Sequence, residues 1–281
     1  MMPRFAPPAW RVALVLLTGA CATAKVNYTD TVGPRYASGE AGMVPLVAPA
    51  TLRVVSFNVE YAIEIDSAIA LLRQDPSLRG ADVLLLQEMD ESGASRIAGA
   101  LGMQYVYYPA TVHPVYQRDF GNAILSRWPI VEDEKIILPY HGLWRKTQRA
   151  AVAATLQVGS QRIRVYDVHF AMATEQTPGH RRAQAERVID DSRGWDRIIV
   201  GGDMNDAGMA QVFADSGFTW PTKHEMPTSH DWRFDHIVLR GLDLATVGST
   251  GVVSDVHGAS DHRPVWAVVR LDAPLSLAKG R

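Results

Sequence analysis

Between positions 52 and 271 the chain is a succession of short apolar runs cut by glycine, proline, asparagine and aspartate. Runs of this length predict strands over 52–59, 83–87, 105–108, 122–126, 130–137, 150–158, 161–169, 198–201, 234–239 and 265–271. Two stretches carry helical spacing instead: 66–73, with Asp66 at the N-cap position, and 177–192, where Pro178 follows Thr177. The runs 150–158 and 161–169 alternate apolar and polar positions around Gly159-Ser160, the pattern of an antiparallel hairpin. Strands dominate, connectivity is mixed and helices are few. The fold class predicted is therefore α/β in the α+β sense, a two-layer β-sandwich flanked by helices, rather than a purely parallel sheet. The chain has no internal repeat and no glycine-rich phosphate loop.

The first 50 residues follow another pattern. Arg4 and Arg11 flank a proline-rich start, the apolar run 12–17 follows, and Thr18-Gly19-Ala20-Cys21 closes it. That run is far short of the roughly 20 residues a bilayer span needs and ends in small residues, the layout of a secretory signal. The segment 17–21 resembles a bacterial lipobox, which implies acylation of Cys21 and firm anchoring through several acyl chains. Ala22 implies the outer membrane, with the protein facing periplasm or exterior. A plain signal peptide with an incidental cysteine is the alternative. The domain organisation expected is a signal peptide over 1–20, a lipidated lead-in with little regular structure over 21–50, a catalytic domain over 51–272 and a tail over 273–281.

Composition narrows the classes. Of 281 residues, 47% are hydrophobic and 21% charged, which excludes a disordered or coiled-coil chain. The formal charge of -2 advertises no nucleic-acid or anionic-membrane binding, and a single cysteine forbids both a disulfide framework and a cysteine-rich zinc site.

The chemistry lies at the strand ends. The run 52–59 carries Asn58 near its end, 83–87 leads straight into Glu88, 161–169 ends on His169, and 198–201 runs into Gly202-Asp203-Met204-Asn205. Asp235 opens one further strand, and Asp261-His262 precedes the last. Singly, each residue has a bland role as a turn former, a cap or a solvated loop residue. Jointly they form the inventory of a metal-assisted hydrolase: carboxylates for a hard cation, amides to orient oxygens, and histidines for proton transfer and phosphate contact.

The series Ser56-Phe57-Asn58-Val59, Leu86-Gln87-Glu88, Gly121-Asn122-Ala123-Ile124-Leu125-Ser126-Arg127, Gly202-Asp203-Met204-Asn205 and Ser260-Asp261-His262-Arg263-Pro264 resembles the endonuclease/exonuclease/phosphatase superfamily. The resemblance implies in-line attack of water on a phosphoester, assisted by a divalent metal. It implies Glu88 as metal ligand with Asn58 and Asp261 beside it, and magnesium as the ion, with manganese or calcium as alternatives. Asp203 would orient or deprotonate the attacking water, Asn205 would steady it, His262 would contact the scissile phosphate, and Asp235 would fix the tautomer of His262. His169 stands where deoxyribonucleases and sphingomyelinases carry histidine and abasic-site endonucleases carry tyrosine. Asn122 and Arg149 are further candidates for substrate contact, Arg149 through bidentate bonds to phosphate. Glu60 is a candidate supporting acid, and His180, Arg181 and Arg182 form a small basic cluster read as a solvated helix face.

Three function classes follow. The foremost is an anchored phosphodiesterase acting on lipid head groups or other organophosphates. The second is an exported nuclease acting on DNA or RNA, and the third a binding lipoprotein that has lost catalysis, against which the full acid, amide and histidine set argues. No protein partner is implied. Trp144, Trp220 and Trp232 fall in expected loops, where a ring meets lipid or stacks on a base.

Overall fold

The computed structural model describes residues 23–24, 26–38 and 48–271. Cys21, the signal segment and the tail lie outside the described residues. The strands are β1 (Tyr36–Ala37), β2 (Thr51–Asn58), β3 (Val83–Met89), β4 (Gln104–Val112), β5 (Asp119–Ser126), β6 (Ile130–Ile137), β7 (Ala150–Val158), β8 (Gln161–His169), β9 (Ile198–Asp203), β10 (Asp235–Arg240), β11 (Asp243–Leu244), β12 (Thr250–Val252) and β13 (Val265–Arg270). One sheet runs β1-β4-β5-β3-β2-β13-β11 with β12 also on β13, and the other runs β10-β9-β8-β7-β6. Each sheet has one parallel pair, β2 with β3 and β8 with β9; every other pairing is antiparallel, including the expected hairpin β7-β8.

The sheets pack face to face over a core that includes Leu52, Val54, Leu85, Val152, Val165 and Ile237, all fully buried. Helices cover the outer faces: α1 (Ile65–Gln74) and α2 (Glu91–Leu101) on the first sheet, α3 (Pro178–Asp191) and α4 (Ala207–Asp215) on the second. The chain is thus an α/β sandwich flanked by helices.

Helix starts follow the capping rules where a short oxygen side chain is available. Thr177 accepts from the His180 N–H and Asp90 from the Gly93 N–H, while Gly102 closes α2 in the left-handed conformation. Asp66 is not the cap of α1. That helix begins at Ile65, whose buried side chain is worth more inside than a carboxylate cap is worth outside, and Asp66 instead pairs with Arg96 in the first turn. Helices α2 and α4 are additions to the two helices that the sequence predicts. In α2 the buried face is Gly93, Ala94, Ile97 and Ala98, small residues that let the helix lie close to the sheet.

The lead-in 26–38 has no regular structure beyond β1, yet hydrogen bonds fix it to the domain. Val112 donates to the Val26 carbonyl, the buried Lys135 ammonium donates to the Gly33 and Tyr28 carbonyls at 2.7 and 3.2 Å, and Arg35 grips Asp133 through two bonds of 2.6 Å. Its first described residues reach the end of the sandwich where β2, β3, β8 and β9 terminate: Ala24 donates to the Arg145 carbonyl at 2.6 Å and Asn27 to that of Lys146 at 2.8 Å. At the opposite end the two borders of the sandwich meet, the Leu271 N–H donating to the Ala50 carbonyl at 3.0 Å.

Candidate active site

The C-terminal ends of both parallel pairs open on one mouth. From the first sheet come Asn58 and Glu88, from the second His169 and Asp203, and the antiparallel neighbours add His262 just before β13 and Asp235 at the start of β10. The six strand ends predicted to share a face do share it. A cleft of about 210 Å³ between the sheets is lined by Glu88, His169, Asp203, Asn205, Asp261 and His262 together with Arg149.

Local backbone sets these positions. The ladder of β3 on β5 shifts register between Leu86 and Met89, and within that bulge Glu88 takes φ 59°, a left-handed conformation rare outside glycine. The bulge turns a carboxylate that continuous pairing would leave in the sheet toward the mouth. In β9, Gly202 has φ 148° and lies so close to Val168 that any Cβ would run into the Val168 carbonyl. This close approach brings Asp203 level with His169.

Amides of the first sheet reach across to the second. Asn58 donates to Glu88 at 3.2 Å and to Asp203 at 3.0 Å, bridging the two carboxylates, while its own oxygen accepts from the Glu60 N–H. Beneath it Gln87 donates to Asp167 at 2.5 Å, and Asn122 donates to the Ala150 and Asp167 carbonyls. Asn122 lies behind the cleft wall rather than on it, where its amide fixes the sheet-to-sheet spacing. Asn58 braces two acids, and in this arrangement its oxygen is already engaged.

The proton-bearing groups differ in charge. His262 Nδ1 lies 2.8 Å from Asp235 Oδ2 and its Nε2 3.8 Å from Asp203. Burial opposes its charge, but Asp235 and Asp203 outweigh burial and hold the imidazole up at about 10, so it is imidazolium at neutral pH. His169 is the reverse: burial, with Arg149 and His262 adding to it, holds it well below 6.5, and it is neutral. Its Nε2 lies 3.5 Å from Asp203, which makes this contact one with an uncharged ring rather than an ion pair. Asp203 is raised by burial and by the charge of Asp235, offset by His262, the Asn205 N–H and Asn58.

Glu88 shows where a cation fits. Burial, with the charge of Asp203 adding to it, pushes its carboxyl up to about 7 against the pull of the Asn58 amide. Its hydrogen bonds come from Asn58 and the Tyr61 N–H, and no lysine or arginine among the described residues bonds to it. Asp261 lies on the same cleft, its N–H held by the Glu60 carboxylate at 3.1 Å. Two carboxylates beside a water-accessible cleft suit a hard cation that keeps some of its waters. Asp203, Asp235 and His262 also gather donor atoms within 4.8 Å of one another, but there the Asp235–His262 hydrogen bond already satisfies the pair.

Arg149 brings a buried positive charge to the cleft. It is buried, bonded to Glu175 at 2.8 Å and seated over the Phe120 ring, yet its Nε and Nη1 have no partner. Unpartnered guanidinium N–H groups beside a cleft form a ready receptor for phosphate oxygens. Sequence reasoning missed Tyr61, His113, Arg145 and Glu175, which also line the cleft. They sit in loops, and only Tyr61, three residues after Asn58, stood near a recognisable motif. Of the basic cluster, Arg181 is buried and paired with Asp206, and His180 stacks on Tyr140. Among the described residues no helix is long and apolar enough to cross a membrane.

With this geometry in hand, comparison with known proteins defines the class. Residues 55–262 match the model of the Endonuclease/Exonuclease/phosphatase family, and the chain belongs to that family. Similar solved structures include an endonuclease/exonuclease/phosphatase from Beutenbergia cavernae (TM-score 0.63, 19% identity, 79% of this chain and 72% of that one). Others are D. rerio TDP2 complexed with single-strand DNA product (TM-score 0.63, 16% identity, 79% and 100%) and a mannosyl-6-phosphatase from Bacteroides thetaiotaomicron (TM-score 0.57, 15% identity, 78% and 100%). At these identities the likeness is one of fold. No curated protein matches the chain. Members of the family are generally hydrolases of phosphoesters and usually use divalent metal ions.

Proposed function

We propose that the chain is a divalent-cation-dependent phosphodiesterase acting on the head-group phosphoester of a lipid, exported and anchored through Cys21 to the outer membrane. The observation that carries the phosphoester reading is the buried Arg149, which lines the cleft with Glu88, Asp203 and His262 and has two guanidinium nitrogens without a hydrogen-bond partner among the described residues. The phosphate oxygens bind Arg149 and the His262 imidazolium, which places the phosphorus between Asp203 and the leaving oxygen. Asp203 accepts a proton from the attacking water, and Asn205, whose N–H donates to Asp203 Oδ1 at 2.8 Å, keeps that carboxylate aimed. Asp235 holds His262 charged and oriented through Nδ1. The leaving oxygen takes its proton from the His262 imidazolium, and Asp203, 3.8 Å from His262 Nε2, returns the water's proton to that ring, while neutral His169 keeps its Nε2 3.5 Å from Asp203. A divalent cation held by Glu88 and Asp261, magnesium or else manganese or calcium, would stabilise charge on the phosphate and leaving oxygens.

A nuclease is the second reading, supported by the same phosphate receptor and by the DNA product bound to the structurally similar D. rerio protein. The deciding experiment is hydrolysis of plasmid DNA, RNA, sphingomyelin, phosphatidylinositol and bis-p-nitrophenyl phosphate, with magnesium and after chelation, beside a Glu88→Ala control. Turnover of a lipid that chelation and the substitution both abolish is expected. Turnover of nucleic acid alone replaces the lipid reading with the nuclease one, and activity indifferent to both treatments overturns the site.

A further inference from the structure

The catalytic mouth is ringed by apolar side chains that the chemistry does not use. Val115 and Tyr116 stand on the loop after β4, Leu143 and Trp144 on the loop between β6 and β7, Met172 after β8, and Trp232 before β10; all are exposed, Trp144 at 74% and Trp232 at 65%. The loops that carry them also line the cleft, through His113, Arg145, Glu175 and Phe234. Leu143 is tied to that wall directly, its N–H donating to the Glu175 carbonyl at 2.9 Å, and Trp232 stacks parallel to Phe234. Arg145, Lys146 and Arg233 are interleaved with them in the sequence. An exposed apolar rim with cations among its residues has the chemistry of a surface that enters the boundary between lipid head groups and acyl chains.

The lead-in gives an independent indication of what the rim faces. Ala24 is hydrogen-bonded to the Arg145 carbonyl on this rim, and the three residues back to Cys21 reach no further than about 11 Å. An acyl anchor on Cys21, as proposed above, would therefore attach on the side of the mouth and not at the far end of the sandwich.

We propose that this rim docks on a phospholipid bilayer, with Leu143 and Trp144 entering the interface and the catalytic mouth opened toward the head groups. The inference deepens the reading of the chain as a lipid-head-group phosphodiesterase and rests on it for its purpose, though not for its geometry. Non-aromatic Leu143, Met172 and Val115 favour lipid over single-stranded nucleic acid, whose bases stack on aromatic rings and guanidinium planes.

The test uses the chain carrying Cys21→Ser, so that no acyl group contributes, with vesicles of phosphatidylglycerol and phosphatidylethanolamine. Co-sedimentation and a blue shift of tryptophan emission are expected. The double variant Leu143→Ala/Trp144→Ala should partition at least about 10-fold more weakly. Val131→Ala, which removes an exposed valine at the far end of β6, should partition like the parent. All three should hydrolyse bis-p-nitrophenyl phosphate at equal rates. The proposal is overturned if the parent does not sediment, if the double variant binds as well as the parent, or if the emission lost in Trp144→Ala responds to single-stranded DNA and not to vesicles. A chain that binds vesicles yet hydrolyses no lipid loses the proposed function and keeps the docking face. One that hydrolyses detergent-dispersed lipid without sedimenting keeps the function and loses the face.

Discussion

The two sheets are built on one plan and furnished differently. Each places its single parallel pair near the middle, β2-β3 in one and β8-β9 in the other, and each sends polar residues from the ends of that pair into the mouth. The first sheet presents Asn58 and Glu88, and the acid there stands in burial with no cation bonded to it. The second presents His169 and Asp203, and its acid is flanked by Asn58, the Asn205 N–H and the charged His262. A wall short of positive charge is suited to bind a cation, and a wall with internal proton donors and acceptors is suited to move protons. On the proposed function the labour of hydrolysis is divided between two sheets, so the catalytic geometry would depend on their spacing.

The sharpest way to break this division is to neutralise one acid on each wall. Glu88→Gln and Asp203→Asn should each lower kcat on bis-p-nitrophenyl phosphate by about 10³-fold, the range seen when a transition-state contact is removed. They should differ in rescue: raised magnesium should restore part of the Glu88→Gln activity and none of the Asp203→Asn activity. In the same pair, magnesium should raise the Tm of the parent and of Asp203→Asn but not that of Glu88→Gln. Equal responses would show that the two acids serve one function.

A second test concerns the supports of the histidine wall. His236, next to Asp235, is buried edge-on to Trp220 with Nε2 near the Arg233 carbonyl, and burial lowers its pKa to about 4. The folded value lies below the unfolded one of about 6.5. Stability should therefore be full above pH 6.5 and fall as the pH drops toward 4, because the unfolded chain takes up the proton first. The loss amounts to about 3 kcal/mol at the lower end. His236→Phe should flatten this acid limb in denaturant titrations between pH 4 and 7, and an unchanged limb would assign it to other groups.

The smallest expected effect concerns the phosphate receptor that stands between the walls. Arg149→Lys keeps the charge but loses the planar fork, and kcat/KM should fall about 10- to 100-fold, chiefly through KM. A loss confined to kcat would mean that Arg149 contacts the phosphate only in the transition state.

Much of this was legible in the sequence, and the reasons are physical. The strands β6, β7 and β8 match their expected bounds to the residue, with Gly159-Ser160 setting the turn between the last two. β4 extends four residues past its expected end, through Pro109, because a register shift between Pro109 and Thr111 absorbs the proline. Helices α2 and α4 are not among the elements the sequence predicts; Gly93 and Gly99 lie inside α2 and Gly208 in the first turn of α4, and glycine is a poor helix former. The site residues were legible as a set because each terminates an apolar run. Conformation was not legible: nothing in Leu86-Gln87-Glu88 announces the left-handed bulge that aims the acid. Nor did the unmatched Arg149 show its burial, which depends on Glu175 and Phe120 from distant parts of the chain.

The hydrogen bond from Leu271 to Ala50 brings the two borders of the sandwich together at the end away from the mouth. A short linker across that gap would let residues 50–271, without the lead-in and β1, be rejoined there and opened at an exposed turn such as Gly159-Ser160, which lies at the same end. In such a circular permutant every strand end that bears a catalytic residue would keep its neighbours, since neither cut nor splice falls on the side where they converge. The order in which the two sheets emerge during synthesis would change, while the arrangement that faces the substrate would not.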